Sequence, residues 1–213
     1  MDKQSGTLEA AIGVEMVICG NDYTLYVDYD RGKYIFLDLQ GKVTYMRARV
    51  ERDLVGPCRI ALRYQHRVAV GLLVPGLVCA GVSAAGTFLN GARLRGRDQA
   101  LFVNFVRVYM HPDLQRPLTN PADLQTANYA DWLYRSVRCG LAHAFALEWG
   151  HIENSRLGSY VNISADGQPQ INQNALVEDF AAAWNRYLGD VVGDPASLLA
   201  QRFAMRFDAI FHD

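Results

Sequence analysis

Clustered cysteine, net charge and charged residues in one long central run are what this 213-residue chain has least of. Its four cysteines, Cys19, Cys58, Cys79 and Cys139, lie far apart with no Cys-x-x-Cys pair. That spacing argues against a structural metal site and fits reduced thiols in a cytosol. The first residues, Met1-Asp2-Lys3 with Glu9 and Glu15 following, are unlike a signal peptide, so the expected setting is cytoplasmic. The net charge of -1 removes any global polyelectrolyte pull towards nucleic acid. No internal repeat or low-complexity linker divides the chain. The glycines at 71 to 91 have no preceding strand and no following Lys-Ser/Thr, so they do not form a phosphate loop. No cofactor and no metal are expected.

Hydrophobic residues make up 50% of the chain and charged residues 20%, which is the balance of a globular domain. The charge is unevenly spread. From Arg47 to Arg97 nine arginines face only Glu51 and Asp53, leaving a local excess of seven positive charges. Such an excess makes either a basic face or an ordinary solvated helix surface.

Val68 to Ala92 holds no charged residue and is long enough to span a bilayer. Five glycines and Pro75 dilute it, however, and arginines flank both ends, which removes the asymmetry of a membrane span. A buried helix in a bundle is expected, with small residues admitting close neighbours on several sides.

Alternation over Tyr23–Tyr29 and Tyr34–Leu39, about the turn Asp30-Arg31-Gly32-Lys33, predicts a β-hairpin at about 23–39. Asp28 and Asp30 read as turn residues rather than calcium ligands. Helical spacing runs from Val43 to about Tyr64, with a break or kink expected at Gly56-Pro57. The uncharged helix follows at about 66–90 and ends at Gly91. Asp98 is placed to cap a helix that stops before Pro112. Asn120 and Pro121 predict the start of a helix running to about Trp149. A second small hairpin is expected about Asp166-Gly167. Two helices close the chain, one ending at Gly189 and one starting at Asp194-Pro195. The expectation is therefore a mainly α single domain, 1–213. It is an antiparallel helical bundle with two small β-hairpin decorations, a core at about 43–150 and C-terminal helices at 174–212.

Arg138-Cys139-Gly140-Leu141-Ala142-His143 holds a permanent cation and a group that titrates near neutrality within one expected helix. Arginine followed by histidine at such spacing occurs three times, as Arg59–His66, Arg138–His143 and Arg206–His212, where about one match is expected by chance. Spacing alone therefore decides nothing. On a wheel at 100° per residue, Ala130, Leu133, Val137, Gly140, Leu141 and Ala144 form a core face. Arg138 and His143 lie on the shoulders of the opposite face, with Arg135, Cys139, Ala142 and Ala146 between them. A ridge of such small residues suits close approach of another helix, for example from a second copy of the chain. Cys139 and His143 also make an i, i+4 pair, but a mid-helix cysteine on a packed face is more often inert than catalytic.

The run Tyr134 to His143 resembles the Arg-x4-6-His segment of HEPN (higher eukaryotes and prokaryotes nucleotide-binding) domains. Arg-Cys-Gly-Leu-x-His is similar to a run in uncharacterised bacterial HEPN-like proteins. The resemblance covers roughly residues 45 to 150. It implies an antiparallel bundle, a homodimer with the two motifs meeting at the interface, RNA or a nucleotide as ligand, and in toxin-type members an antitoxin-type protein partner. Metal-independent RNA cleavage needs a base, an acid and positive charge on the phosphorane. The resemblance implies proton transfer by His143, phosphate binding by Arg138 and a further phosphate contact by Arg135. Cys139 stands where the active nucleases typically carry a polar residue, and the uncharged helix offers no acid. These departures support the alternative, a non-catalytic dimerisation or partner-binding module.

Overall fold

The computed structural model describes residues 14–19, 23–28, 33–34, 38–64, 71–92, 95–118, 126–140, 147, 149–154 and 158–211. These are mostly helical. Two groups of three strands accompany the helices. Near the N-terminus β1 (Val14–Cys19) pairs antiparallel with β2 (Tyr23–Asp28), which pairs antiparallel with β3 (Lys33–Tyr34). Of the second expected strand, Tyr34 pairs as expected, while residues 35–37 lie outside the described residues. Leu39 belongs to the helix α1 (Leu39–Val50), because the Asp38 carboxylate accepts the Gly41 N–H at 2.7 Å and caps it there.

Where a break or kink was expected at Gly56-Pro57, the helix carries a widened turn and does not break. A π-helical segment, Glu51–Val55, joins α1 to α2 (Gly56–Arg63) without interruption. The Gly56 N–H bonds to Glu51 O, five residues back. A Cβ on Gly56 would lie 2.9 Å from that oxygen, so the closeness of the turn favours glycine there. Pro57, which has no N–H to donate, enters the continuous helix directly after this widened turn.

Helix α3 (Leu73–Asn90) packs against α4 (Asp98–Tyr109), α6 (Gln173–Gly193) and α7 (Leu198–Phe211). It is long and apolar enough to cross a membrane, and 50% of it is buried inside the protein. Its buried face carries Val74, Val78, Cys79, Val82, Ala85 and Phe88. Two glycines set its closest approaches: a Cβ on Gly81 would strike Leu54 and Phe180, and one on Gly86 would lie 2.5 Å from Leu101 O. Gly91, at φ 77°, ends the helix in the left-handed conformation. Asp98 is the first residue of α4 rather than its cap, and the helix ends at Tyr109, ahead of Pro112.

The helix expected from Asn120 begins later. Residues 119–125 lie outside the described set, and Thr126 and Ala127 are not helical. Helix α5 (Tyr129–Trp132) starts where the Asn128 side chain accepts the Asp131 N–H at 2.9 Å. It passes directly into a π-helical segment, Leu133–Cys139. Leu147, Trp149 and Gly150 are not helical, so the element does not reach Trp149.

Near the C-terminus β6 (Pro169–Asn172) lies between β4 (His151–Glu153), parallel to it, and β5 (Val161–Ile163), antiparallel to it, in a small mixed sheet. Helix α6 runs through the exposed Gly189 to Gly193, because a glycine mid-helix weakens but does not stop a helix whose Tyr187, Leu188 and Val191 are buried. Helix α7 starts at Leu198, with the Ser197 hydroxyl accepting the Ala200 N–H. Phe88, Trp184, Tyr187, Phe203 and Phe207 join α3, α6 and α7 through ring contacts 5.4–6.3 Å apart.

Candidate functional site

The chain enters the Arg138 segment under firm constraint. Tyr129 donates its hydroxyl to Asn162 O at 2.5 Å, and Trp132 donates Nε1–H to Trp149 O at 2.6 Å. Both bonds fasten α5 to the small sheet region. Beyond them the winding widens, and the Gly140 N–H reaches Arg135 O, five residues back. Widened turns of this kind recur at functional sites. Ala130, Leu133, Ser136, Val137 and Gly140 are buried, and Tyr134, Arg135, Arg138 and Cys139 are half-buried. Leu141, Ala142, His143, Ala144 and Ala146 lie outside the described residues.

The Arg138 guanidinium lies over the Tyr134 ring, 5.4 Å from its centre, and Nη1 is 3.9 Å from Cys139 Sγ. Stacking holds the cation without neutralising it. Arg138 lines an open groove of about 230 Å³ together with Ser83, Ala84 and Thr87 of α3, Asp98 of α4 and Arg206 of α7. Arg206 donates Nε–H to Thr87 Oγ1 at 3.2 Å, while Thr87 donates its own proton to Ala84 O at 2.7 Å. Ser83 is similarly bonded to Cys79 O at 2.9 Å. Among the described residues neither Arg138 nor Arg206 has a carboxylate partner. The groove thus holds, among the described residues, two guanidinium groups without a carboxylate partner and one carboxylate, Asp98.

Arg135 is directed elsewhere. Its Nη2 donates to Gln99 Oε1 at 3.4 Å, and Gln99 donates to Asp131 Oδ1 at 3.1 Å, which ties the π-helical segment and α5 to α4. Arg135 is not among the groove's lining residues. Burial pushes the Cys79 thiol up to about 12, against the opposing pull of Arg138, so Cys79 stays protonated at neutral pH. Burial also raises the Tyr134 phenol, again opposed by Arg138.

The arginine-rich region is partly neutralised. Arg59 binds Glu178 through Nε and Nη2, at 2.8 and 2.6 Å, and Glu51 through Nη1 at 2.7 Å. Arg52 and Arg49 both reach Asp53. Arg63, Arg95 and Arg97 are exposed. The excess of positive charge therefore does not form one continuous free surface among the described residues.

Two other histidines meet carboxylates. His151 Nε2 lies 3.0 Å from Asp166 Oδ2, and Asp166 also accepts the Ser164 hydroxyl. Those contacts, Ser164 first and His151 second, hold the Asp166 carboxyl at about 2. Here the aspartate sits between serine and histidine, whereas a nucleophile relay requires the histidine to touch the hydroxyl. His111 Nδ1 accepts the Asp113 N–H at 3.2 Å and caps a single 3₁₀ turn, Pro112–Gln115. Among the described residues no group of three histidine, cysteine or acidic side chains is placed to hold a metal ion.

Sequence reasoning identified Arg138 but not its companions. Arg206 was visible only as one of three chance-level arginine–histidine spacings, and Asp98 only as a helix cap. No family model matches this chain, and neither a curated protein nor a solved structure matches it.

Proposed function

We propose that this chain is a HEPN-like protein, an antiparallel helical bundle with β-hairpin decorations, that binds RNA or a nucleotide as a dimer through Arg138. The supporting observation is that Arg138 lines an open groove with no carboxylate partner among the described residues. A guanidinium in that condition presents donors suited to a phosphate. In the catalytic form of the proposal the dimer is a metal-independent endoribonuclease. His143 from one copy takes the 2′-hydroxyl proton, His143 from the other protonates the leaving 5′-oxygen, and Arg138 balances the charge that develops on phosphorus. Arg135 then acts through position, fixing the segment against α4, rather than as a phosphate ligand.

The test is cleavage of a labelled RNA by the purified protein in the presence of a chelator. His143→Ala is expected to abolish cleavage while leaving the thermal midpoint nearly unchanged. Cleavage retained in that variant removes the catalytic assignment.

A second reading is a non-catalytic module that dimerises or binds a protein partner. It is favoured by the uncharged face that α3 leaves exposed, carrying Leu73, Leu77, Ala80 and Ala84. A dimer in sedimentation analysis that neither cleaves nor binds RNA supports this reading over the first.

A further inference from the structure

The C-terminal helix α7 lies beyond the segment that carries the Arg138 motif, yet it brings Arg206 into the same groove. We infer that Arg206, Arg138 and Asp98 form a receptor for one ribose–phosphodiester unit of single-stranded RNA, in which the two arginines hold the phosphate and Asp98 accepts the ribose 2′-hydroxyl. The inference rests on the reading of the groove as an RNA-binding site, with Asp98 rather than His143 meeting the 2′-hydroxyl at this unit, and adds to it a second phosphate ligand and a basis for choosing ribose.

Three features carry it. First, Arg206 is held in place by Thr87, through a neutral hydroxyl at 3.2 Å, and among the described residues it meets no carboxylate. Thr87 gives its proton to Ala84 O, so its oxygen is oriented to accept from Arg206. The guanidinium keeps its other donors for a ligand.

Second, the charge matches a diester. Among the described residues two guanidinium groups and one carboxylate give the groove a single positive charge, which balances one phosphodiester. A carboxylate beside a phosphate is repulsive unless a donor lies between them. In RNA the 2′-hydroxyl supplies that donor next to the phosphate on the 3′ oxygen, and in DNA it is missing.

Third, the size fits a backbone unit and not a whole nucleotide enclosed. The groove is about 230 Å³ and open, below the ~300–1,000 Å³ of pockets that surround a small molecule. The base then lies outside, and recognition is insensitive to sequence.

The experiment measures binding of ribo- and deoxyribo-decamers of one sequence to the full chain by fluorescence anisotropy across a salt series. Arg206→Met keeps the apolar stem and removes the charge. It is expected to weaken RNA binding about tenfold and to reduce the slope of log K against log salt by about 0.7, the share of one phosphate contact on a single strand. Asp98→Ala, at a half-exposed position, is expected to bring RNA and DNA affinities together. Equal affinity and slope in Arg206→Met, or an RNA preference kept by Asp98→Ala, overturns the inference. Equal binding of the two decamers by the unmodified protein also overturns it. Should Arg138→Met alone weaken RNA binding, the general RNA reading stands and this one falls. Absence of RNA binding by the unmodified protein removes both.

Discussion

Gly86 is the position where a single methyl group tests the packing of the groove wall. It lies on the buried side of α3 where α4 crosses, and an added Cβ would meet Leu101 O at 2.5 Å and Leu101 C at 2.8 Å. Ordinary contact begins at 3.4 Å, so α4 would have to withdraw by about 0.9 Å. Backbone atoms cannot rotate aside as a side chain can. The full overpacking cost of about 3 kcal/mol therefore applies. Alanine returns about 1 kcal/mol of helix propensity. The net expectation for Gly86→Ala is a loss of about 2 kcal/mol, or about 4–8 °C in the thermal midpoint for a chain of this length. Thermal and urea denaturation measure it directly. Because Asp98 and Leu101 of α4 line the groove opposite α3, the displacement should also weaken the proposed RNA binding. A midpoint equal to or above that of the unmodified protein refutes the close helix crossing.

Gly189→Ala provides the opposite sign. Gly189 is exposed within α6 and a Cβ there meets nothing within 4 Å, so the midpoint should rise by an amount corresponding to about 0.5–1 kcal/mol. Tyr187→Phe removes a buried hydroxyl that has no hydrogen-bond partner among the described residues, and stability should hold or rise by up to about 1 kcal/mol in denaturant titration. Arg59→Met addresses pH. The hydrogen bond from Arg59 depresses the Glu178 carboxyl against the effect of burial. The stabilisation is complete above the ordinary glutamate value of 4.5 and is lost as pH falls through the depressed value. Both partners are substantially exposed, so less than about 1 kcal/mol is at stake. The variant's midpoint should fall less than that of the unmodified protein between pH 5 and pH 3, in a scan of melting temperature against pH.

The helices legible in the sequence were those whose signals are local. Apolar spacing in α3, α4, α6 and α7 is strong because each buries a face, and Gly91 ends α3 through a backbone conformation that glycine favours. Glycines inside elements were less readable. Gly56 permits a widened turn rather than a break, and Gly189 sits mid-helix, because tertiary burial of its neighbours outweighs a penalty of about 1 kcal/mol. The helix that carries Arg138 starts after its cap, Asn128, and does not run unbroken from Asn120, since Thr126 and Ala127 are not helical; residues 119–125 lie outside the described residues. Asn120-Pro121 and Asn128 both offer capping chemistry, and the helix that Asn128 caps is fastened through Tyr129 and Trp132 to Asn162 and Trp149. Those partners lie 33 and 17 residues away, beyond the reach of any local pattern.

The same distinction separates Arg138 from the rest of its groove. Its helical wheel assumed 100° per residue, which the hydrogen bond from the Gly140 N–H to Arg135 O does not allow. The described members of the core face drawn on that wheel, 130, 133, 137 and 140, are buried, but so are Trp132 and Ser136, which the wheel left off it. What the wheel could not supply is the opposing wall. Arg206 is 68 positions further on, and its spacing to His212 carried no more weight than chance. It reaches the groove because Phe203 and Phe207 are buried on one side of α7, which leaves Arg206 turned towards Thr87 on α3. An arginine set by the burial of its neighbours and held by a hydroxyl keeps its charge available. Of the nine arginines that sequence counting emphasised, Arg49, Arg52 and Arg59 instead meet carboxylates. Phosphate binding here should therefore follow which arginines lack an acidic partner, not where arginines are most numerous. Replacing Arg59 should leave RNA affinity unchanged under conditions where replacing Arg206 reduces it.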